Sequence, residues 1–300
     1  MERILHLIQP KFTRKSKDSK VQLSRSRAGT IGIFLFLLLI CAFMLLPIAY
    51  AVIQAFKPIE EIFAFPPRFF VRNPTLSNFK QVFFLAGNLW VPFSRYLFNS
   101  LFVSVCGTLL YLIIASLAAF PLAKGNVRGG NLITGLIILT LLFRPEVTAI
   151  PSYMVISSLK MVDTYWAMIM PAMASSMGVF LMKQFMLVAI PDSTLEAARI
   201  DGAGEWTAFF RIALPSVKPA LATLLIFTFQ GLWNNNGAQQ YIYSEDLKQL
   251  PSVLSSISAA GIFRAGVGSA VSVLLMLPPI LIFIFSQRSI METMTHSGLK

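Results

Sequence analysis

The sequence predicts an all-α membrane protein with six transmembrane helices, and three observations predict it. Of 300 residues, 56% are hydrophobic and only 13% charged, and the mean hydropathy is +0.70. A soluble domain carries more charge than that on its surface. Six apolar runs approach the roughly 20 residues that a helix needs to cross a bilayer core of ~30 Å. Basic residues also crowd ahead of the first run: Arg3, Lys11, Arg14, Lys15, Lys17, Lys20, Arg25 and Arg27. Cations massed beside a membrane segment report orientation and contact with anionic lipid, so the net charge of +12 does not point to nucleic acid.

The expected spans are 31–56, 96–123, 132–156, 165–188, 216–233 and 266–286. The third is interrupted by Arg144, Pro145 and Glu146, and the fifth is short and ends in "WNNN". With both termini inside, sixteen basic residues fall inside and eight outside, leaving out Arg144 within its span. That bias favours cytoplasmic ends. The segment "AYA" at 49–51 resembles a signal-peptide cleavage site, but the apolar run before it is too long, so an uncleaved first span is expected. The organisation is then a basic cytoplasmic tail (1–30), a six-helix domain (31–288) with a cytoplasmic loop at 191–215, and a C-terminal cytoplasmic tail (289–300).

The outside loop 57–95 contains prolines that forbid a long helix, and the polar stretch 246–262 has room for a short one. Cys41 and Cys106 both lie in apolar runs and read as small core residues. Seven methionines between Met161 and Met186 read as core filling rather than a metal path. Ala172, Ala174, Ser175, Ser176 and Gly178 in the same span suit close helix contact. His6 and His296 offer no metal pair.

One stretch breaks the apolar pattern. "EAARIDGAGEWTAFFRIALP", residues 196–215, carries Glu196, Arg199, Asp201, Glu205 and Arg211. Ser193 followed by Glu196 fits a capping box that starts a short helix. Gly202 is suited to the left-handed conformation that ends it. A second helix then runs to Pro215, which breaks or redirects it. Ala197 and Ala198 give the first helix a small face, fit for docking into a groove.

The spacing Glu196-Ala197-Ala198, three residues, Gly202, nine residues, Ile212, one residue, Leu214-Pro215 resembles the EAA loop of permease subunits of ATP-binding-cassette importers. "NPTLSNF" (73–79), "NSL" (99–101), "LAAFPLA" (117–123), "FQGLWN" (229–234) and "SGLK" (297–300) are similar to the carbohydrate branch of that family, of the type of the maltose permease MalG. The resemblance implies a type I importer permease fold of the MetI/MalG kind in a bacterial cytoplasmic membrane. It implies a second permease, two cytoplasmic ATPases holding ATP and Mg, an extracytoplasmic solute-binding protein and a carbohydrate substrate. No cofactor is implied for this chain. Glu196, Ala197, Ala198, Arg199, Asp201, Gly202, Ile212, Leu214 and Pro215 would form the coupling segment seated on an ATPase. The chain departs from the family at Asn234–Asn236, where relatives often carry an acid, and in the glycine-poor tail.

Two further groups are candidates for the substrate pathway. Arg144 and Glu146 are costly inside a membrane, about 2.5–3.5 kcal/mol each on insertion scales. They read either as part of the path or as the surface end of a shorter span. Gln230, Trp233, Asn234 and Asn235 combine amides with an aromatic plane, which suits sugar hydroxyls and C–H faces. The alternative is an interfacial tryptophan before a polar loop. No G-x-x-x-x-G-K-[ST] phosphate loop occurs, the glycines of "GNVRGGN" (125–131) lacking its Lys-Ser/Thr end. No nucleophile–base set for an enzyme appears either. An importer for a non-sugar solute remains the nearer alternative, and an ion-coupled secondary transporter the more distant one, since only Glu146 approaches the intramembrane acids it needs.

Overall fold

A computed structural model describes residues 27–88, 91–125, 127–235, 240–258 and 264–297. The basic tail expected at 1–30 lies almost wholly outside them, as do Asn236 and the closing residues 298–300. The chain divides into two units between Ala49 and Tyr50. The first unit holds most of α1 (Arg27–Ala55), whose apolar side chains are exposed all round, as befits a helix in lipid.

In the second unit, every described regular element is helical: α2 (Ile59–Ile62), α3 (Ser77–Gly87), α4 (Phe93–Lys124), α5 (Gly130–Thr140), α6 (Pro145–Ser158), α7 (Tyr165–Met173) and α8 (Ser176–Ala189) come first. They are followed by α9 (Asp192–Ile200), α10 (Glu205–Ala208), a π-helical turn (Phe209–Ala213), α11 (Leu214–Ser216) and α12 (Lys218–Trp233). A 3₁₀ turn (Glu245–Leu247), α13 (Leu250–Ser258) and α14 (Ala265–Ser297) complete the unit. The helix α4 is central and packs against α7, α8, α12 and α13, while α14 covers α12 and α3.

Among the described residues, four helical stretches are long and apolar enough to cross a bilayer, and a fifth forms if the bent pair Glu205–Ser216 and Lys218–Trp233 is one span. The expected third span is not one helix. It is two short apolar helices, α5 and α6, separated at residues 141–144. Pro145 at the first position of α6 has no N–H to continue a ladder from α5, and it holds Arg144 extended at φ −77°, ψ 146°. The fifth span also departs from expectation. Its 75° bend falls at Val217, two residues past Pro215, after a π-helical turn. The last helix continues to Ser297, so the segment expected as a tail from 289 is largely helical.

The small residues of the α7–α8 stretch do what helix packing needs. Gly178 is buried against Tyr111, and a Cβ there would lie 2.1 Å from the Tyr111 hydroxyl oxygen and 2.3 Å from its Cζ. Met182 and Met186 are fully buried beside them in the core. Gly178→Ala is expected to destabilise the protein by about 1–3 kcal/mol despite alanine's better helix propensity, because the added methyl overlaps the ring of the buried Tyr111. A wild-type melting temperature for this variant in detergent would show that α4 and α8 do not approach so closely.

Candidate functional site

The charged stretch forms a helix, a bend and a second helix. Pro191 takes the N-cap position of α9 at φ −65°, without a side-chain cap. The expected capping box is therefore not made: the helix begins before Ser193, which is not the N-cap, and Glu196 lies two residues beyond the position a box partner of Pro191 would take. Ser193 lies inside the first turn, and Glu196 projects from mid-helix, exposed. Leu195 is the buried residue of α9, anchoring it among Phe120, Met186 and Phe209. With that anchor inward, Glu196, Ala197, Arg199 and Ile200 face out, and Ile200 is 86% exposed.

The bend is fixed by local chemistry. Gly202 adopts φ +82°, where a side chain would be strained. The Ala203 N–H donates to the Ala198 carbonyl at 2.9 Å and the Gly202 N–H to Arg199 at 3.0 Å, which together make a Schellman stop. Asp201 caps the helix end, its N–H donating to Ala197. Arg199 then reaches across the bend to Glu205 at 3.0 Å. An exposed pair of this kind is worth only about 0.2–1 kcal/mol, so it adds a little to the bend that Gly202 fixes. Ile212 and Leu214 pack beneath, in the core that holds Leu195, while Pro215 is exposed in α11.

A second tie joins the elbow to the bundle. The ammonium of Lys124, at the last turn of α4, donates to the Asp192 carboxylate at 2.8 Å. The Lys124 side chain is only 5% exposed. A charge at the end of an apolar run is visible in the sequence, but its partner lies 68 residues on.

The pathway candidates scatter. Trp233 is fully buried, its indole N–H donates to the Leu275 carbonyl at 2.9 Å, and its ring stacks on Phe229. It locks α12 to α14 and offers no face to a solute, so packing replaces the stacking role expected for it. Gln230 and Asn234 are exposed, Asn234 capping α12. Glu146 falls in the first turn of α6, and its side chain lies outside the described residues. Arg144 stands at the break between α5 and α6 and is exposed. The level of that break is set by Thr140, whose hydroxyl donates at 2.7 Å to Ser176, the first residue of α8. Both breaks, α5/α6 and α7/α8, contribute to one cavity lining, Thr140 and Phe143 from one and Ala174 and Ser175 from the other, and membrane proteins tolerate irregular backbone around a cavity.

Asn235 does line a cavity, of about 660 Å³, together with Thr140, Thr148, Ser152, Ser175, Gln240 and Tyr241. A second cavity of about 530 Å³ shares Pro171, Ala172, Ser175, Leu232 and Asn235 with it and extends to Tyr111 and Thr228. Hydroxyls and amides dominate the polar lining, and among the described residues neither lining includes an acidic or basic side chain.

The end of the bundle away from α9 is held by two polar clamps that the sequence reading missed. Asn99, fully buried, donates through its amide to the Asp246 carbonyl at 2.7 Å and the Lys248 carbonyl at 3.0 Å, and accepts from the Tyr165 hydroxyl at 2.7 Å. Asp163 accepts from the Tyr243 and Ser244 amides at 3.0 Å each, and its own N–H donates to Tyr241 at 2.8 Å. The Ser244 hydroxyl, followed by those amides, holds the Asp163 carboxyl below the usual carboxylate range.

Apolar helices around α4, an exposed elbow and a cavity edged with hydroxyls and amides suit a membrane transport permease. Residues 111–295 match the family described as the binding-protein-dependent transport system inner membrane component, and the chain belongs to that family as a multi-pass membrane protein. It is 32% identical to Protein LplC of Bacillus subtilis over 86% of this chain and 90% of that one. It is 31% identical to the arabinooligosaccharides transport system permease protein AraQ of Halalkalibacterium halodurans, covering 90% and 95%. It is 30% identical to the sn-glycerol-3-phosphate transport system permease protein UgpE of Yersinia enterocolitica, covering 86% and 94%. The fold matches a chain of a bacterial ABC transporter involved in import of the acidic polysaccharide alginate, with a TM-score of 0.73 at 22% identity over 88% of this chain and 98% of that one.

Proposed function

We propose that this chain is one permease half of an ATP-driven carbohydrate importer, with its elbow seated on a cytoplasmic ATPase and its cavity forming half of the path. The single observation that carries the coupling role is the exposed α9 with a rigid bend. Glu196 is free of any capping duty, Ile200 stands out as an apolar tip, and Lys124–Asp192 and Arg199–Glu205 tie the helix to its surroundings. A lever must be stiff to transmit displacement, and both ties serve that end.

In this reading both termini and the elbow are cytoplasmic, in line with the excess of basic residues on that side. A second permease completes the pore, two ATPases bind ATP and Mg, and an extracytoplasmic binding protein delivers the solute. ATPase closure carries α9, and with it α4 and α12, as a rigid body and switches the cavity between the two faces of the membrane. The carbohydrate assignment is supported by the hydroxyl- and amide-rich cavity and by the relatives named above.

The test is a disulfide crosslink in the assembled transporter. With Ala197→Cys paired to cysteines along the ATPase groove, a crosslink to the nucleotide-binding subunit is expected, changing with ATP. A crosslink to no ATPase position, or labelling of Ala197→Cys by an impermeant reagent from outside the cell, would overturn the reading.

A further inference from the structure

Beside the larger cavity three tyrosines from α6 and the 241–244 segment meet, of which Tyr241 lines it. Tyr153 of α6 stacks on Tyr241 with ring centroids 6.1 Å apart and planes within 13°. The Tyr153 and Tyr243 hydroxyls hydrogen-bond at 3.0 Å. Tyr241 is buried and lines the cavity, whereas Tyr153 is 38% and Tyr243 62% exposed. Close by on the same wall are the Ser152 hydroxyl and the Gln240 and Asn235 amides.

The backbone under this cluster is fixed. Asp163 holds the 241–244 segment by accepting from two successive amides and donating to the Tyr241 carbonyl. Asp163 itself sits at φ +59°, a conformation uncommon outside glycine and here held by those bonds. Tyrosine has only two side-chain torsions, so aromatic surface on a pinned loop is presented at low entropic cost.

We infer that Tyr153 and Tyr243, backed by the buried Tyr241, form a specificity-determining platform for a sugar ring approaching the cavity. A pyranose or furanose has an apolar C–H face and a rim of hydroxyls. The cluster offers the complement: ring faces to stack on, with phenolic, hydroxyl and amide groups around them. The inference rests on the carbohydrate reading above and adds which residues choose the sugar.

The complete transporter, reconstituted with its partner subunits and binding protein, is given a pooled hydrolysate of arabinan, xylan and starch, and accumulated sugars are identified by mass spectrometry. Tyr153→Ala/Tyr243→Ala is expected to raise the apparent KM for the accumulated sugar roughly ten-fold with little change in maximal rate. Tyr153→Phe/Tyr243→Phe, which keeps the stacking faces, stays within about three-fold of wild type. An unchanged KM in the alanine variant overturns the platform. So does loss of the second permease from the purified alanine variant, which would make the cluster a subunit contact. If the wild-type transporter accumulates none of these sugars while its ATPase responds to the loaded binding protein, the carbohydrate reading itself falls and takes the platform with it.

Discussion

Glu196→Lys is expected to lower transport by two to three orders of magnitude while leaving the permease inserted and folded. The two halves of that expectation have separate physical grounds. Glu196 is exposed in the middle of α9, and Pro191, not a Ser193–Glu196 box, occupies the helix start, so the substitution removes no internal bond. Exposed helix substitutions of this sort alter stability by no more than about 0.5 kcal/mol. Under the proposed docking, where Glu196 would meet a cation of the ATPase, the same change would set like charges together at about 2–5 kcal/mol. Uptake, copurification of the ATPase and melting temperature measured on one preparation separate the effects. Normal uptake with the lysine in place would mean that Glu196 touches nothing in the working transporter.

Asn99→Leu acts at the opposite end and through stability. Leucine is close in size but leaves the Asp246 and Lys248 carbonyls and the Tyr165 hydroxyl without the partner they have in the native protein. Arg95 still donates to Asp246 and the Leu250 N–H to Ser100, so two groups are stranded at about 1–3 kcal/mol each and a total of roughly 2–6 kcal/mol is expected. Tyr165→Phe removes one of the three bonds and is expected to cost about 1 kcal/mol. In a double-mutant cycle the two changes are non-additive, because they share one network. Thermal denaturation in detergent measures all three variants; an Asn99→Leu protein as stable as Tyr165→Phe would deny the clamp its role.

Both residues carry a lesson about what a sequence exposes. Glu196 was readable because its meaning is local: two alanines beside it and a glycine six residues on specify a short helix with a stop, and Gly202 duly takes φ +82°. Asn99 was only one letter of a family-like triplet, because its partners lie 147 and 149 residues away. The tyrosine platform was invisible for the same reason, being assembled from α6 and a loop about ninety residues later. Trp233 looked like a binding aromatic because an indole before a run of asparagines has the right chemistry. Only the packing of α12 on α14 turned that ring inward, with its N–H spent on Leu275.

The sequence by itself determined the membrane-embedded helical class, the approximate positions of the spans, the family and the elbow at 196–215. These depend on run length, composition and short-range spacing, all of which are fixed within a few turns of chain. Tertiary structure alone decided which cation pins the elbow, which polar side chains close the far end and which aromatics gather beside the cavity. Those outcomes depend on side chains that meet across tens to hundreds of residues, and helix packing, not local propensity, brings them together.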